Sequence, residues 1–303
     1  MKFNISKNVW LLHLTVLIWG FTGILGALIE VSAIYLVWYR VLIASISLFL
    51  YFKLNGKPLR IPRKQAVIYA LTGGLVGLHW LLFFHSIKVS TVSVSLVCLS
   101  SVTLFTSILE PLIKGKKISL AEVIAGCLII TGIYLIFTFE SDYTAGIIYG
   151  LSCALMASLF SIINSQLMRT GHAGTISLYE MSGAFFWITL FMGITGKLDA
   201  HLWLNSNDMI YLLLLGTICT AAAYVAGVAV MKELSAFTVA LVTNLEPVYG
   251  IILAWIFFGQ NEKMSWGFYL GAVIVLGAVF LFPYFKKAIE KQSLKRSMRK
   301  YRY

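Results

Sequence analysis

Apolar residues run along this chain in long unbroken blocks, and polar residues gather in the short gaps between them. Ten such blocks stand near 9–29, 33–52, 66–86, 90–113, 120–138, 145–167, 176–195, 209–230, 236–258 and 265–284. Each holds about 20 residues, enough helix to cross a hydrocarbon core of roughly 30 Å. Backbone groups inside lipid must pair within their own segment, so the blocks are predicted to be α-helices. The fold class that follows is an all-α integral membrane protein with ten transmembrane helices. The first block follows Lys2 and Lys7 as a signal peptide would. It is too long for one, contains Trp10 and Trp19, and is not cleanly followed by a small-x-small cleavage site, so it reads as a retained helix. No connecting segment reads as a soluble domain. The one extended polar stretch is the tail "KKAIEKQSLKRSMRKYRY".

Composition agrees with the pattern. Of 303 residues 59% are hydrophobic and only 12% charged, where soluble domains carry roughly 25% charged residues. The net charge of +12 has a one-sided origin. With both termini placed in the cytoplasm, 20 Lys and Arg fall on the inner side, and only Lys88, Lys197 and Lys263 on the outer side. That bias fixes the expected orientation by the positive-inside rule. It also explains the charge without nucleic acid; the basic tail is expected to touch anionic inner-leaflet lipid. Cys98, Cys127, Cys153 and Cys219 all lie in apolar runs with no C-x-x-C pair, and read as small buried hydrophobes.

The chain repeats itself. At a shift of 145 residues, "STVSVSLV" (90–97) falls on "SAFTVALV" (235–242), and Gly126 and Gly132 fall on Gly271 and Gly277. In the earlier spans the shift drifts to about 142 residues, as the matches become weaker. Five helices repeated twice give a second copy inserted upside down, because five is odd. Inverted repeats place a substrate site between the halves near the midplane. The expected units are a first repeat at 1–140, a second at 141–285 and the basic tail at 286–303.

Trp19-Gly20 in the first span, Arg40 in the second, the paired Gly-x5-Gly helices and the five-plus-five layout resemble the drug/metabolite transporter superfamily, in particular the ten-helix permeases with two EamA domains. The resemblance covers nearly the whole chain. It implies a bacterial inner-membrane secondary transporter, usually an exporter of amino acids or other small metabolites. Two departures stand out. Family members often have Gly-Glu after the fourth and ninth spans, where this chain has Gly115-Lys116 and Gly259-Gln260. The fourth span also lacks a mid-helix proline, with Val102 at the place matching Pro247, so the first half is expected to kink less than the second.

An ionisable group inside a bilayer costs several kcal/mol, so the few polar residues in the spans carry the functional expectation. Glu246 sits roughly 16 Å from the inner edge of the ninth span. Pro247 behind it removes a backbone donor and frees the carbonyl of Thr243. With Asn244 beside them, these groups suit an amine or a proton. Arg40 sits roughly 18 Å above the inner edge, at similar depth. It is read either as the structural partner of Glu246 or as the ligand of a substrate carboxylate; always charged, it is no proton carrier. His79 has a proton-coupling role or a packing role. Trp19 and Tyr224 are expected to line a cavity. Glu180, at the start of the seventh span, is read as a helix-capping carboxylate. The two Leu-Glu-Pro stretches separate: Glu110-Pro111 is expected to end a helix at the inner edge beside Lys114, Lys116 and Lys117, whereas Glu246-Pro247 breaks one at mid-membrane. "GGLVG" (73–77) and "GIIYG" (146–150) read as helix-packing motifs rather than phosphate loops.

H-E-x-x-H, G-x-S-x-G and carboxylate clusters at metal spacing are absent from the sequence, so an enzyme is not expected, nor a metal or other cofactor. The function expected is alternating-access transport of small metabolites, with proton coupling open; the alternatives are an uncoupled facilitator and a non-transporting receptor or assembly factor. The partners expected are a small-molecule substrate and membrane lipid, with no nucleic acid, and a homodimer is left open.

Overall fold

A computed structural model gives the structure of the chain and describes residues 7–113, 115, 120–198 and 203–300. The described residues contain no strand. The first three spans are single helices, α1 (Lys7–Leu28), α2 (Ala33–Leu54) and α3 (Arg63–Val89). The fourth is two helices, α4 (Val92–Leu99) and α5 (Val102–Ile113). Next come α6 (Leu120–Phe139), α7 (Thr144–Leu167) and α8 (Ala173–Ile194). The eighth span joins α9 (Ser206–Gly216) to α10 (Ala223–Val230) through a π-helical stretch, Thr217–Ala222. The ninth is again divided, into α11 (Ala236–Thr243) and α12 (Leu245–Phe258). The last helix, α13 (Trp266–Lys300), continues through most of the basic tail. Eight of these stretches are at least 18 residues long and apolar enough to cross a membrane, and 123–139 and 266–282 supply two shorter apolar crossings.

The two broken spans correct the expectation that the first half kinks less. Each starts from a side-chain cap: Thr91 Oγ1 accepts from Val94 N at 3.2 Å, and Ser235 Oγ from Thr238 N at 3.1 Å. Nine residues later each helix stops, at Ser100 and at Asn244. At the first break the bonds shorten to the i→i+3 pattern, with Ser100 N on Val97 O and Ser101 N on Cys98 O, both 3.1 Å. No proline is needed, because serine and threonine hydroxyls compete locally for backbone groups. The caps and breaks register the halves at a shift of 144 (91 to 235, 100 to 244). The counterpart of Glu246 is therefore Val102, rather than the Ser101 that sequence identity gives. Pro111 does not end its helix; α5 runs on to Ile113. Lys114, Lys116 and Lys117 lie outside the described residues.

Positive-φ glycines close corresponding spans in both halves. Gly56 and Gly196 follow α2 and α8, and Gly115 and Gly259 follow α5 and α12, with φ between 51° and 68°. Only glycine adopts a positive φ there without strain, so each of these four ends needs its glycine whatever residue comes next.

The halves interleave rather than sit side by side. The repeat carries the first and fourth spans onto the sixth and ninth. The pairing of α1 with α12 accordingly has its counterpart in that of α7 with α4 and α5. The third and seventh spans pair with each other, as do the fifth and tenth. Small residues permit these approaches. A Cβ on Gly73 would strike the backbone carbonyl of Glu180 in α8, and one on Gly146 would strike the Ser90 side chain. On Gly132 it would meet the Gly271 carbonyl at 2.8 Å. The two G-x-x-x-G motifs are helix contacts in the structure.

Candidate functional site

Call the face where α1 begins and α13 ends the terminal face. A cavity of about 810 Å³, part of it open to solvent, lies between the halves. Its walls run from Thr22, Arg40 and Phe83, which lie in the halves of α1, α2 and α3 nearer the other face, to Ser161 and Asn164 near the end of α7, Met231 just past α10, and Val239 and Ala240 in α11, near the terminal face. At the other face the halves are tied together by carboxylates on backbone amides. Asp208 accepts from Glu30 N at 2.9 Å and Val31 N at 3.3 Å. Glu262 accepts from Val92 N at 2.9 Å and Ser93 N at 3.0 Å, and so holds the start of α4. Lys88 Nζ donates to the Ile29 carbonyl.

Glu246, Arg40, His79, Trp19 and Tyr224 all line this cavity. Asn244 does not. Its amide donates to Thr103 Oγ1 and to the Ala240 carbonyl, the latter at 2.7 Å, so it braces the helix break against α5. The break sets Thr243 and Glu246 in the wall, and their register partners Leu99 and Val102 are in the wall as well.

Arg40 is 1% exposed. Its guanidinium carbon lies over the Trp80 ring, 4.0 Å from the centroid, and Nε donates to Thr220 Oγ1 at 2.6 Å. Thr220 belongs to the π-helical stretch and itself donates to the Leu215 carbonyl five residues back, at 2.6 Å. A π-bulge of this kind turns a side chain inward at a functional site. The Arg40 Nη1 is buried with no hydrogen-bond partner. Nor does Arg40 pair with Glu246: no N···O contact within 4.0 Å joins them, although each lies within electrostatic range of the other. The static ion pair that the sequence left open is therefore not formed. A buried charge normally finds a partner; here Arg40 and Glu246 share a cavity without an ion pair, and one guanidinium nitrogen has no hydrogen-bond partner.

His79 is fixed by Cys153. Nδ1 sits 3.1 Å from both the Cys153 carbonyl oxygen and its sulfur. A carbonyl only accepts, so Nδ1 carries the hydrogen and Nε2 is the basic nitrogen. The Phe160 and Phe83 rings flank the imidazole, at 5.3 Å and 6.5 Å between centroids. Trp19 packs against Gly227, and Gly20 brings α1 up to Tyr249 and Gly250 of α12, so the Trp-Gly pair sets one aromatic in the wall and one close helix approach.

Glu180 departs from its expected capping role. It is the eighth residue of α8, a full two turns inside, and wholly buried. Its Oε2 accepts from the Tyr224 hydroxyl at 2.9 Å and from Asn164 Nδ2 at 3.4 Å. Sequence reading placed the helix start too late, at 176, and so took a mid-helix carboxylate for a first-turn one. Thr220 and Asn164 were also missed; threonine and asparagine in a span are too common to mark a wall without coordinates.

The sequence model for the EamA-like transporter family matches twice, at residues 6–138 and 144–283. The chain belongs to the EamA-like transporter family. An "Uncharacterized transporter" of Archaeoglobus fulgidus is 25% identical over 286 residues, covering 91% of this chain and 97% of that protein. The "Uncharacterized inner membrane transporter YhbE" of Escherichia coli K12 is 25% identical over 267 residues, 81% of each chain. Among solved structures, one crystal structure superposes with a TM-score of 0.68 over 91% of this chain and 97% of its own, at 14% identity, and so shares the fold. The family and the apolar helices make this EamA-like chain a multi-pass membrane protein of a transporter family.

Proposed function

We propose that this EamA-like protein is a secondary transporter that exports small metabolites such as amino acids by alternating access, driven by protons. Both termini are placed in the cytoplasm of a bacterium and the bundle in its inner membrane, following the lysine and arginine bias. The lining residues nearest a helix end, Asn164, Met231 and Val239, then lie toward the cytoplasm, where an exporter loads its cargo, and the carboxylate–amide ties hold the outer side together. Inverted five-helix halves supply the rocking element.

The observation that carries the reading is the unpaired Arg40 Nη1 in the same cavity as an unbonded Glu246 carboxylate. A substrate carboxylate fits the guanidinium, whose fork is built for planar oxygen pairs. A substrate amine or a proton fits Glu246. The aromatic walls of Trp19, Trp80 and Phe160 suit an apolar side chain between the two ends. The test is metabolite profiling of the medium from cells with and without the gene, followed by binding of the changed compound to purified protein. A small zwitterion that accumulates outside only when the gene is present, and binds, supports the proposal. An unchanged medium, or transport indifferent to a proton gradient, sinks it in favour of a receptor or a facilitator.

A further inference from the structure

Behind the cavity wall sits a second carboxylate that the coupling reaction above does not use. Glu180 faces Asn164 of α7 and Tyr224 of α10, lies within electrostatic range of Tyr69 of α3, and packs its backbone on Gly73. No lysine, arginine or histidine bonds to it among the described residues. Its Oε1 is buried with no partner, and so are Asn164 Oδ1 and, one turn earlier on α8, Ser177 Oγ.

Counting hydrogens shows what the cluster lacks. The Tyr224 hydroxyl hydrogen is spent on Glu180 Oε2. The Asn164 amide hydrogens go to Glu180 Oε2 and to the Tyr224 oxygen, the latter at 3.1 Å. Nothing from Asn164 or Tyr224 is left for Oε1. A bare carboxylate oxygen in an apolar bundle costs several kcal/mol. One proton on Oε1 removes the charge and makes that oxygen a donor, in a cluster where Asn164 Oδ1 and Ser177 Oγ are acceptors without partners.

We propose that Glu180 is a second proton-binding carboxylate of the transport cycle and that Tyr224 ties its protonation to the occupancy of the cavity. The link runs through rings in contact: Arg40 over Trp80 at 4.0 Å, then Trp80 edge-on to Tyr224 at 5.8 Å, then the Tyr224 hydroxyl on Glu180. A substrate carboxylate that draws Arg40 off Trp80 loosens Trp80 against Tyr224 and weakens the bond that holds Glu180. Once Tyr224 loosens and uncovers the buried carboxyl, a proton from cavity water adds to Oε1 as an O–H bond, and it returns to water when the half-cycle reverses. The proposal rests on proton coupling but names a different residue from Glu246, so the two stand or fall separately.

The test is an infrared pH titration of the purified full-length protein in lipid nanodiscs, with the proton itself as the probe. Two protonated-carboxyl carbonyl components are expected in the wild type. Glu180→Gln removes one and Glu246→Gln the other, so the band area falls about twofold in each, as two separate sites require. Tyr224→Phe moves the Glu180 component in frequency, since its hydrogen-bond partner is gone. That variant also decides the matter if Glu180→Gln does not fold. A Glu180→Gln spectrum that keeps both components, or a Tyr224→Phe spectrum identical to wild type, overturns the proposal. So does a Glu180 component that sodium titrates away, which makes the site a cation site. Should Glu246→Gln leave gradient-driven transport intact while the Glu180 component stands, the assignment of Glu246 fails and this one survives.

Discussion

The two broken spans have one backbone design and opposite chemistry. Both begin at a Ser or Thr cap, stop nine residues later and set one matching pair of positions around the break in the same cavity wall. In the first half those positions are Leu99 and Val102; in the second they are Thr243 and Glu246. The break in the first half falls at Ser100 without proline, with the Ser100 hydroxyl donating back to the Leu96 carbonyl, and that in the second is braced by Asn244. Backbone symmetry therefore shapes both breaks, and of the two only the second carries a charge into the cavity, opposite the Arg40 of the first half. A break is a way to aim side chains; what it aims is a separate choice of sequence.

The sharpest attempt on this contrast is Glu246→Gln, tested in proteoliposomes against a pH gradient. Gradient-driven transport is expected to fall by about tenfold or more, since every factor of ten needs only 1.4 kcal/mol. Full activity in that variant would show that the second break is no more armed than the first. Arg40→Ala comes next. It removes the Nε bond to Thr220 and the contact over Trp80, at a cost of about 1–3 kcal/mol, read as a lower melting temperature. Arg40→Lys keeps the charge but loses the guanidinium contact over Trp80 and the Nε bond; substrate affinity is expected to drop about tenfold, by roughly 1.4 kcal/mol. If both variants leave affinity and stability untouched, Arg40 is neither ligand nor counter-charge.

Smaller effects separate the scaffolds of the breaks. Asn244→Ala deprives Thr103 and the Ala240 carbonyl of a donor, and thermal unfolding is expected to show a loss of about 1–2 kcal/mol. Ser101→Ala removes a buried hydroxyl that has no partner, so its effect is expected to stay within about 0.5 kcal/mol of zero. Equal losses in the two would mean that both breaks depend on their polar side chains alike.

Much of this was legible beforehand, for reasons that can be named. Ten crossings follow from apolar length alone, because lipid allows a lone segment no other way to satisfy its backbone. Glu246 and Arg40 stood out because a charge in such a block is expensive wherever it points. Glu180 carried the same signal but was misread. Its block is apolar from 176, while the helix begins at Ala173, and three residues changed a buried carboxylate into a supposed cap. The register of the halves slipped by one for a related reason: Ser90 matches Ser235 as a letter, but Thr91 does the capping.

Local composition and length settle the ten apolar blocks, the repeat and which charged residues fall inside those blocks. The tertiary structure alone decided that Arg40 rests on Trp80 instead of Glu246, that Asn244 faces a helix and not the cavity, and that Tyr224 connects the cavity to Glu180. Those choices turn on which face of a helix meets which neighbour. In a span that is apolar all round, no amphipathic stripe records that face.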